Sequence, residues 1–177
     1  GAGGYSGAEL VSILSRHVGA EIVGLFASAR REKGDQPGKF DEIFPRFRGI
    51  CDLPVLPYSH EAAAALKPDA VFLATPHEAS VELAPDLLKL GAVVLDLSAA
   101  FRLKNPGLYP KHYGFEHSHA ALLKDAVYGL PELFREVLLI LRARVSADAR
   151  RQLLDDLIAG RIELSAAIPS AEPPARP

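Results

Sequence analysis

The sequence predicts an α/β fold in which a parallel β-sheet is covered by helices on both faces. Three short apolar runs indicate buried strands, and helix-forming segments alternate with them along the chain. Strands joined through helices favour parallel pairing, because each helix returns the chain to the same edge of the sheet. The predicted order is helix 8–17, strand 21–27, helix 60–66, strand 69–74, helix 78–90 and strand 92–97.

The periodicity and the end signals of the helices support this order. Leu10, Ile13 and Leu14 recur at helical spacing on one face of the first helix, and Gly19 is expected to end it. The helix over 78–90 is expected to end at Gly91, where glycine adopts the left-handed conformation without a steric penalty.

Other parts of the chain lack this alternation. Residues 28–57 are charged and rich in glycine and proline, so we expect a long connection with little regular structure, and residues beyond 98 also become irregular. A further helix is predicted over 146–158, with Ser146 as its N-cap and Gly160 after its end. Four prolines in the last nine residues predict a disordered tail.

We therefore expect three regions: a dinucleotide-binding domain over 1–136, a divergent helical segment over 137–168, and the proline-rich tail over 169–177. The chain begins at Gly1 with a glycine-rich loop, and in a sheet of this kind such a loop follows a strand. We accordingly expect the sheet to be incomplete in this sequence, with its first strand preceding Gly1.

Bulk composition argues against several partners. The chain has 177 residues and a net charge of −2, with an isoelectric point near 6.3, so nothing indicates binding to nucleic acid or to an anionic membrane. The longest apolar run, 137–141, is too short to span a bilayer. The single cysteine, Cys51, excludes an internal disulfide and suits a cytoplasmic location.

The first seven residues form a candidate phosphate-binding loop. Gly1, Gly4 and Gly7 repeat every three residues before the first helix, with Tyr5 and Ser6 between the last two. In a Rossmann-type fold such glycines let the backbone approach a pyrophosphate at the helix N-terminus, although an ordinary turn has the same composition.

The residues after the first predicted strand bear on the choice of cofactor. NAD-dependent proteins usually place Asp or Glu here to accept a hydrogen bond from the ribose 2′-hydroxyl. This chain has Ser28, Arg30 and Arg31 instead, which favour the 2′-phosphate of NADP through charge-assisted contacts. The alternative is a solvated basic loop.

Several segments together indicate a family. The opening Gly-Ala-Gly-Gly-Tyr-Ser-Gly-Ala-Glu-Leu closely resembles that of the N-acetyl-gamma-glutamyl-phosphate reductases, the NADPH enzymes of arginine biosynthesis. Segments 72–78, 96–102, 112–115 and 128–132 agree in order and spacing, so the resemblance covers roughly residues 1–136.

The resemblance implies a Rossmann domain followed by a second domain that carries a catalytic cysteine and histidine. The family reduces N-acetylglutamyl 5-phosphate to the semialdehyde through a thioester. By this likeness Ser98 and Arg102 would hold anionic groups of the substrate, and four residues would flank the cofactor: Ala74, Thr75, Pro76 and His77. The sequence leaves open whether the full-length protein forms a homo-oligomer.

Alternatives exist for the histidines. His77 follows a proline after a predicted strand and is equally consistent with a cap of the next helix. His112, His117 and His119 have no partner at a ligand-like helical spacing and no nearby cysteine, so we predict surface or aromatic-packed histidines and no metal site.

The chain departs from the family pattern at three places. Gly3 stands where the family usually has Ser or Thr, and Ala100 replaces the usual Asp before Phe101-Arg102. Beyond Glu136 the family continues into Asn-Pro-Gly-Cys-Tyr, whereas this chain has no cysteine after Cys51, and Asp52 beside that residue disfavours its thiolate.

We assign no catalytic residue and expect this chain alone to be inactive, although its family is an NADP-dependent oxidoreductase acting on an acyl phosphate. Three readings remain beside this one: a non-catalytic NADP-binding module, a reductase like aspartate-semialdehyde dehydrogenase, and a structural fragment without a ligand.

Overall fold

The computed structural model describes residues 1–27 and 38–129, and the elements below belong to one compact unit, Gly1–Ala126. The α-helices are α1 (Tyr5–Leu14), α2 (Phe40–Ile43), α3 (His60–Ala65), α4 (His77–Lys89) and α5 (Tyr109–Tyr113). The strands are β1 (Leu25–Ala27), β2 (Val55–Pro57), β3 (Ala70–Leu73) and β4 (Val93–Asp96). Short 3₁₀ turns occupy Pro45–Phe47, Pro106–Leu108 and Ala120–Leu123.

The strands form two parallel pairs. In the first pair Leu25 of β1 lies opposite Val55 of β2, and in the second Ala70 of β3 lies opposite Val93 of β4. Within the described residues the pairs are separate two-stranded sheets. The predicted parallel α/β architecture is therefore confirmed.

Residues of β1 pack against helices on both of its faces. Leu25 and Ala27 belong to a core cluster that contains Ala8 and Val11 of α1. Phe26, between them, packs against a second cluster that contains Ala63 of α3. Because successive side chains of a strand point to opposite faces, α1 and α3 lie on opposite sides of β1. The prediction of helices on both faces is correct for this strand.

The first residues of the chain lie at the carboxyl ends of β1 and β3. The Ala2 amide donates to the Phe26 carbonyl oxygen at 2.8 Å. A Cβ built on Gly1 would meet the Ala74 carbonyl oxygen, directly after β3, at 2.5 Å. Residues 1 and 2 therefore contact one strand of each pair at its carboxyl end.

The long connection predicted over 28–57 is wrong for its described part, residues 38–57. This segment contains α2, a 3₁₀ turn and the strand β2. Phe40, Phe44 and Phe47 pack ring against ring, with centroids 4.9 to 6.4 Å apart, and Phe40 is fully buried. The strand escaped prediction because it has three residues, ends in a proline, and becomes a strand through pairing with β1.

The other predicted elements agree with the structure in type, with shifted ends. The predicted strand over 21–27 is shortened to β1. The first helix begins three residues earlier than predicted, and the predicted stop at Gly19 is wrong, because the helix ends at Leu14 with Ser15 as its C-cap. Gly91 follows α4 with φ of +81°, as the predicted left-handed cap requires. The predicted helix over 146–158, the tail, and the boundary at residue 136 lie outside the described residues.

Residues 98–126, predicted to be irregular, are ordered around aromatic side chains. Tyr109 is fully buried, and its hydroxyl lies 3.0 Å from both the amide nitrogen and the carbonyl oxygen of Leu103. Within residues 1–27 and 38–129 no helix is long and apolar enough to cross a membrane.

Candidate functional site

The glycine-rich loop leads directly into α1. The Gly4 amide donates to the Gly1 carbonyl oxygen at 3.2 Å, which closes the loop. Gly4 then serves as the N-cap, with extended backbone angles of −99° and 172°, and no side chain caps the helix. The first turn holds no acidic residue. The N–H groups of this turn can therefore donate hydrogen bonds to an anion, and the helix dipole favours a negative charge there.

The glycines of this loop differ in the space around them. A Cβ on Gly7 would lie 2.5 Å from the Gly1 carbonyl oxygen and 2.7 Å from the Ala2 Cα, so Gly7 permits α1 to pack on the loop backbone. Gly3 has no atom within 4 Å of such a Cβ, and Gly4 has its nearest at 3.6 Å. The loop is thus closely packed on the side of Gly1 and Gly7 and open on the side of Gly3 and Gly4.

The turn between β3 and α4 borders the glycine-rich loop, because Gly1 packs on the Ala74 carbonyl. Pro76 is the N-cap of α4, and this helix also begins without a side-chain cap. The Thr75 and Ser80 hydroxyl oxygens lie 2.7 Å apart, and Ser80 is fully buried. Two uncapped helix N-termini therefore begin from adjoining loops at the carboxyl ends of β1 and β3, where open α/β sheets bind ligands.

The side chain of His77 is not a helix cap, so that alternative is wrong. His77 is the first residue of α4, and its ring stacks on Phe115 with centroids 5.2 Å apart and an interplanar angle of 18°. Tyr113 lies at a centroid distance of 6.2 Å, and the Glu78 carboxylate lies 3.5 Å from the imidazole. Stacking was missed because Phe115 is 38 positions away in the sequence.

Ser98 and Arg102 lie together after β4. The Asp96 carboxylate accepts hydrogen bonds from the Ser98 amide at 3.0 Å and from the Ser98 hydroxyl at 2.8 Å. The Ser98 hydroxyl in turn accepts from the Ala100 amide at 3.1 Å. The Arg102 Nε donates to the Ser98 carbonyl oxygen at 3.1 Å, and the Arg102 side chain is exposed.

These contacts make residues 98–102 a folded loop, which we call the arginine loop, with the guanidinium on its outer side. Asp96 was not predicted as part of this site. A carboxylate two residues before Ser in Asp-Leu-Ser is a local signal for such a turn.

The profile of the family described as "Semialdehyde dehydrogenase, NAD binding domain" matches residues 1–140. The chain belongs to this family. The predicted dinucleotide-binding fold is thereby confirmed, and a nicotinamide dinucleotide as cofactor agrees with the family.

Curated relatives carry the name N-acetyl-gamma-glutamyl-phosphate reductase. Those of Yersinia pseudotuberculosis serotype I, Salmonella typhi and Escherichia coli K12 are 48%, 46% and 45% identical to the chain over 132 residues. Each alignment covers 75% of this chain and 39% of the relative, so the chain spans about two-fifths of the length of these relatives. The predicted resemblance to this reductase family is confirmed.

Cys51 of this semialdehyde dehydrogenase domain lies away from the glycine-rich loop. It is buried in the same core cluster as Phe47 and Val55. With Leu14 it lines a cavity of about 270 Å³, and Leu14 is the last residue of α1. Cys51 therefore lies near the end of α1 opposite the loop, roughly 15 Å along a ten-residue helix.

The three histidines after Lys111 do not form a metal centre in the described part of the chain, where no group of three or more candidate ligands occurs. His117 is buried and packs among aromatic rings, whereas His112 and His119 are exposed. The aromatic-packed interpretation is thus correct for His117.

The residues expected at the adenosine end of the cofactor follow β1. Ser28, Arg30 and Arg31 lie outside the described residues; in the sequence Ser28 directly follows Ala27, the last residue of β1. Tyr5 and Ser6 open α1 and are exposed, with Tyr5 at 92%. Tyr5 thus stands beside the glycine-rich loop with its ring in solvent.

Proposed function

We propose that this chain is the cofactor-binding part of an N-acetyl-gamma-glutamyl-phosphate reductase and that it binds NADP(H) at the glycine-rich loop. This proposal depends most on one observation: the uncapped N-termini of α1 and α4 lie at adjoining loops of an NAD-binding domain. A pyrophosphate fits the open side of the loop, because Gly3 and Gly4 leave room where a side chain would stand.

We infer NADP as the preferred dinucleotide from the residues after β1. Ser28 supplies a hydroxyl, and Arg30 and Arg31 supply planar guanidinium groups that match a phosphate. No acidic side chain follows β1 until Glu32, so the first four positions offer no carboxylate to the ribose 2′-hydroxyl. A nicotinamide cofactor, once bound, supplies a hydride to the substrate.

The arginine loop is the proposed site for an anionic group of the substrate. Arg102 lies six residues after β4, and its guanidinium is held against the loop by bonds from Nε to the Ser98 carbonyl and from a terminal nitrogen to the Leu97 carbonyl. The Ser98 hydroxyl donates to Asp96 and accepts from the Ala100 amide, so its contribution is to shape the loop. The relatives are named as reductases of N-acetyl-gamma-glutamyl phosphate. We propose the same substrate for the whole protein, reduced to the semialdehyde in the cytoplasm.

The covalent step of such a reduction needs a thiolate, and Cys51 does not supply it. Its side chain is buried in the core with Phe47 and Val55, near the far end of α1 from the glycine-rich loop. A nucleophile must reach the acyl carbon, and a buried thiol at this place does not. We therefore propose that residues 1–177 bind the cofactor and do not turn over substrate by themselves.

Calorimetric titration with NADPH and NADH tests the cofactor assignment. We expect NADPH to bind at least tenfold more tightly than NADH, a difference of about 1.4 kcal/mol. Replacing both arginines, R30Q/R31Q, should bring the two affinities within about threefold, because the 2′-phosphate loses its partners. The matched control R48Q removes an exposed arginine of the 3₁₀ turn region and should leave the preference unchanged.

If neither dinucleotide binds at millimolar concentration, the cofactor assignment is wrong. A second assay supplies N-acetylglutamyl phosphate with NADPH and follows absorbance of the reduced nicotinamide. We expect no turnover with residues 1–177, and turnover that persists in C51A would overturn the proposed lack of activity.

A non-catalytic NADP-binding module is the second candidate, because within residues 1–177 the single cysteine, Cys51, is buried and away from the glycine-rich loop. NADPH binding without turnover, in the full-length protein as well as in this chain, would distinguish such a module from a reductase.

A further inference from the structure

His117 is a buried imidazole that the proposed chemistry does not use. Its side chain packs among the rings of Phe101, Tyr109 and Phe115, with centroids 5.2, 4.8 and 6.2 Å away. Histidine is seldom buried to this extent without specific hydrogen bonds, so its partners reveal what it holds.

Both ring nitrogens of His117 have backbone partners. The His119 amide donates to Nδ1 at 3.2 Å, and Nε2 lies 2.9 Å from the Ala100 carbonyl oxygen. Because a backbone N–H only donates, Nδ1 carries no proton. The proton therefore resides on Nε2, which donates to Ala100, and the ring is neutral in a single tautomer.

Ala100, the partner of His117, lies in the middle of the arginine loop and is fully buried. Its amide donates to the Ser98 hydroxyl, which donates to Asp96. Its carbonyl accepts from His117, 17 positions later in the sequence. One end of the loop is thus held by β4 through Asp96, and the middle is held by the aromatic cluster through His117.

We propose that neutral His117 is a positioning residue that fixes the arginine loop in the conformation presenting Arg102 to an anionic group of the substrate. This inference rests on the proposed function, since it concerns the same loop. In this proposal His117 touches neither substrate nor cofactor. It acts through the Ala100 carbonyl, and without that bond a buried carbonyl loses its partner and the loop loses its second attachment.

The arrangement makes the loop sensitive to acid. Burial is the largest cause of the shift and lowers the pKa of His117; the hydrogen bond to the Ala100 carbonyl opposes it, and the nearby His119 lowers the pKa further. The titratable groups facing the ring are Tyr109, whose pKa is raised by burial, and His119. Neither supplies a negative charge at neutral pH to stabilise an imidazolium.

Protonation of Nδ1 would also replace the bond accepted from His119 by two opposed N–H groups. Because the pKa of His117 lies below the ordinary value of about 6.5, the neutral ring and its hydrogen bonds stabilise the fold fully above that pH. This stabilisation is lost as the pH falls through the lowered pKa. Burial of a charged ring and loss of the bond from His119 should therefore displace His117 from the aromatic cluster, and so loosen the arginine loop, as the pH falls from the ordinary value of 6.5 through the lowered pKa of His117.

Sulfate is a suitable probe of the loop, because its charge stays constant from about pH 5 to about pH 8 and it resembles a phosphate. Amide resonances of Ser98, Ala100 and Arg102 report its binding to the ¹⁵N-labelled protein. We expect sulfate to shift these resonances at neutral pH and to bind about tenfold more weakly once a lowered pH has protonated His117. The imidazole ¹⁵N shifts of His117 should show the Nε2–H tautomer at pH 7.

Two variants separate the hydrogen bond from the ring. H117Q places an amide nitrogen near the position of Nε2 and should keep sulfate affinity within about threefold while removing its pH dependence. H117F keeps an aromatic ring but cannot donate, and should weaken sulfate binding at least tenfold. H112Q changes an exposed histidine of α5 and should behave as the unaltered protein.

A His117 that is charged or protonated on Nδ1 at pH 7 would overturn the proposal, as would sulfate shifts that are absent from the loop or unaffected by both pH and H117F. If H117F does not fold, the pH titration of the unaltered protein and of H117Q decides the question.

NADPH titration of H117Q should match the unaltered protein. Loss of NADPH binding in the unaltered protein would count against the proposed function and leave the sulfate result on His117 standing.

Discussion

Gly4 and Gly7 stand three residues apart, and their surroundings give a side chain opposite consequences. At Gly7 a methyl group would fall within 3.0 Å of three backbone atoms of Gly1 and Ala2, which have no flexible end to move aside. At Gly4 a methyl group meets its nearest atom at 3.6 Å and points into the open side of the loop. The same residue type therefore serves packing at one position and ligand access at the other.

We expect G7A to lower the free energy of unfolding by about 1–3 kcal/mol, because the clash exceeds the gain from alanine's helix propensity. G4A should cost at most about 1 kcal/mol, the effect of a poorer N-cap, yet weaken NADPH binding at least tenfold. Urea unfolding and calorimetry measure the two quantities. G3A, whose added methyl group meets no atom within 4 Å, is the control for the unfolding measurement.

Equal stability of G7A and the unaltered protein would contradict this packing of α1 on the loop. Equal NADPH affinity of G4A and the unaltered protein would contradict the placement of the pyrophosphate on the open side.

At the scale of an element, the first turn of α4 depends on one hydroxyl pair. Ser80 is fully buried and meets Thr75 at 2.7 Å, which ties the helix to the turn that follows β3. The spacing of five residues is a local one, but the sequence did not single out Ser80, because a serine within a helical run has no distinguishing signal.

Replacing Ser80 by alanine should lower the free energy of unfolding by about 1–2 kcal/mol, since the half-buried Thr75 hydroxyl loses its partner. NADPH affinity should fall a few-fold, because residues 74–77 border the glycine-rich loop. S79A, one position earlier on α4, is the matched control, and thermal unfolding with and without NADPH measures both effects. An S80A protein as stable as S79A would show that the hydroxyl pair contributes nothing.

At the scale of the whole molecule, the sheet is divided. β1 pairs with β2 and β3 pairs with β4, while within the described residues no strand joins β1 to β3. Gly1 and Ala2 touch the carboxyl ends of both strands. A strand that led into Gly1 would run parallel to both neighbours, and its apolar side chains would lie between the helix-covered faces.

An extension of five valine and isoleucine residues placed before Gly1 should therefore raise the free energy of unfolding by at least about 1 kcal/mol. Each buried side chain contributes about 1.5–3 kcal/mol, whereas ordering the backbone of its residue costs about 1–2 kcal/mol. An extension of five glycine and serine residues of equal length should not. Urea unfolding of the two extended chains makes the comparison, and equal stabilities would contradict a strand position between β1 and β3.

Local signals account for what the sequence predicted well. The glycine-rich loop, the end of α4 at Gly91 and the three apolar strands follow from backbone conformation and periodicity, which act over a few residues. The resemblance of ordered segments supplied the family, which the profile match over 1–140 confirmed. The roles of Gly4, Arg102 and their neighbours toward a ligand remain predictions.

What only the tertiary structure decided depends on contacts between distant positions. β2 is a strand because β1 pairs with it, and Phe40 is a core residue because it meets Phe47 and Val55. His77 stacks on Phe115, and His117 reaches Ala100 across 17 positions. The sequence by itself thus determined the elements with their own local signals, whereas packing decided the short strand and the histidines, since their energies come from partners that no local pattern names.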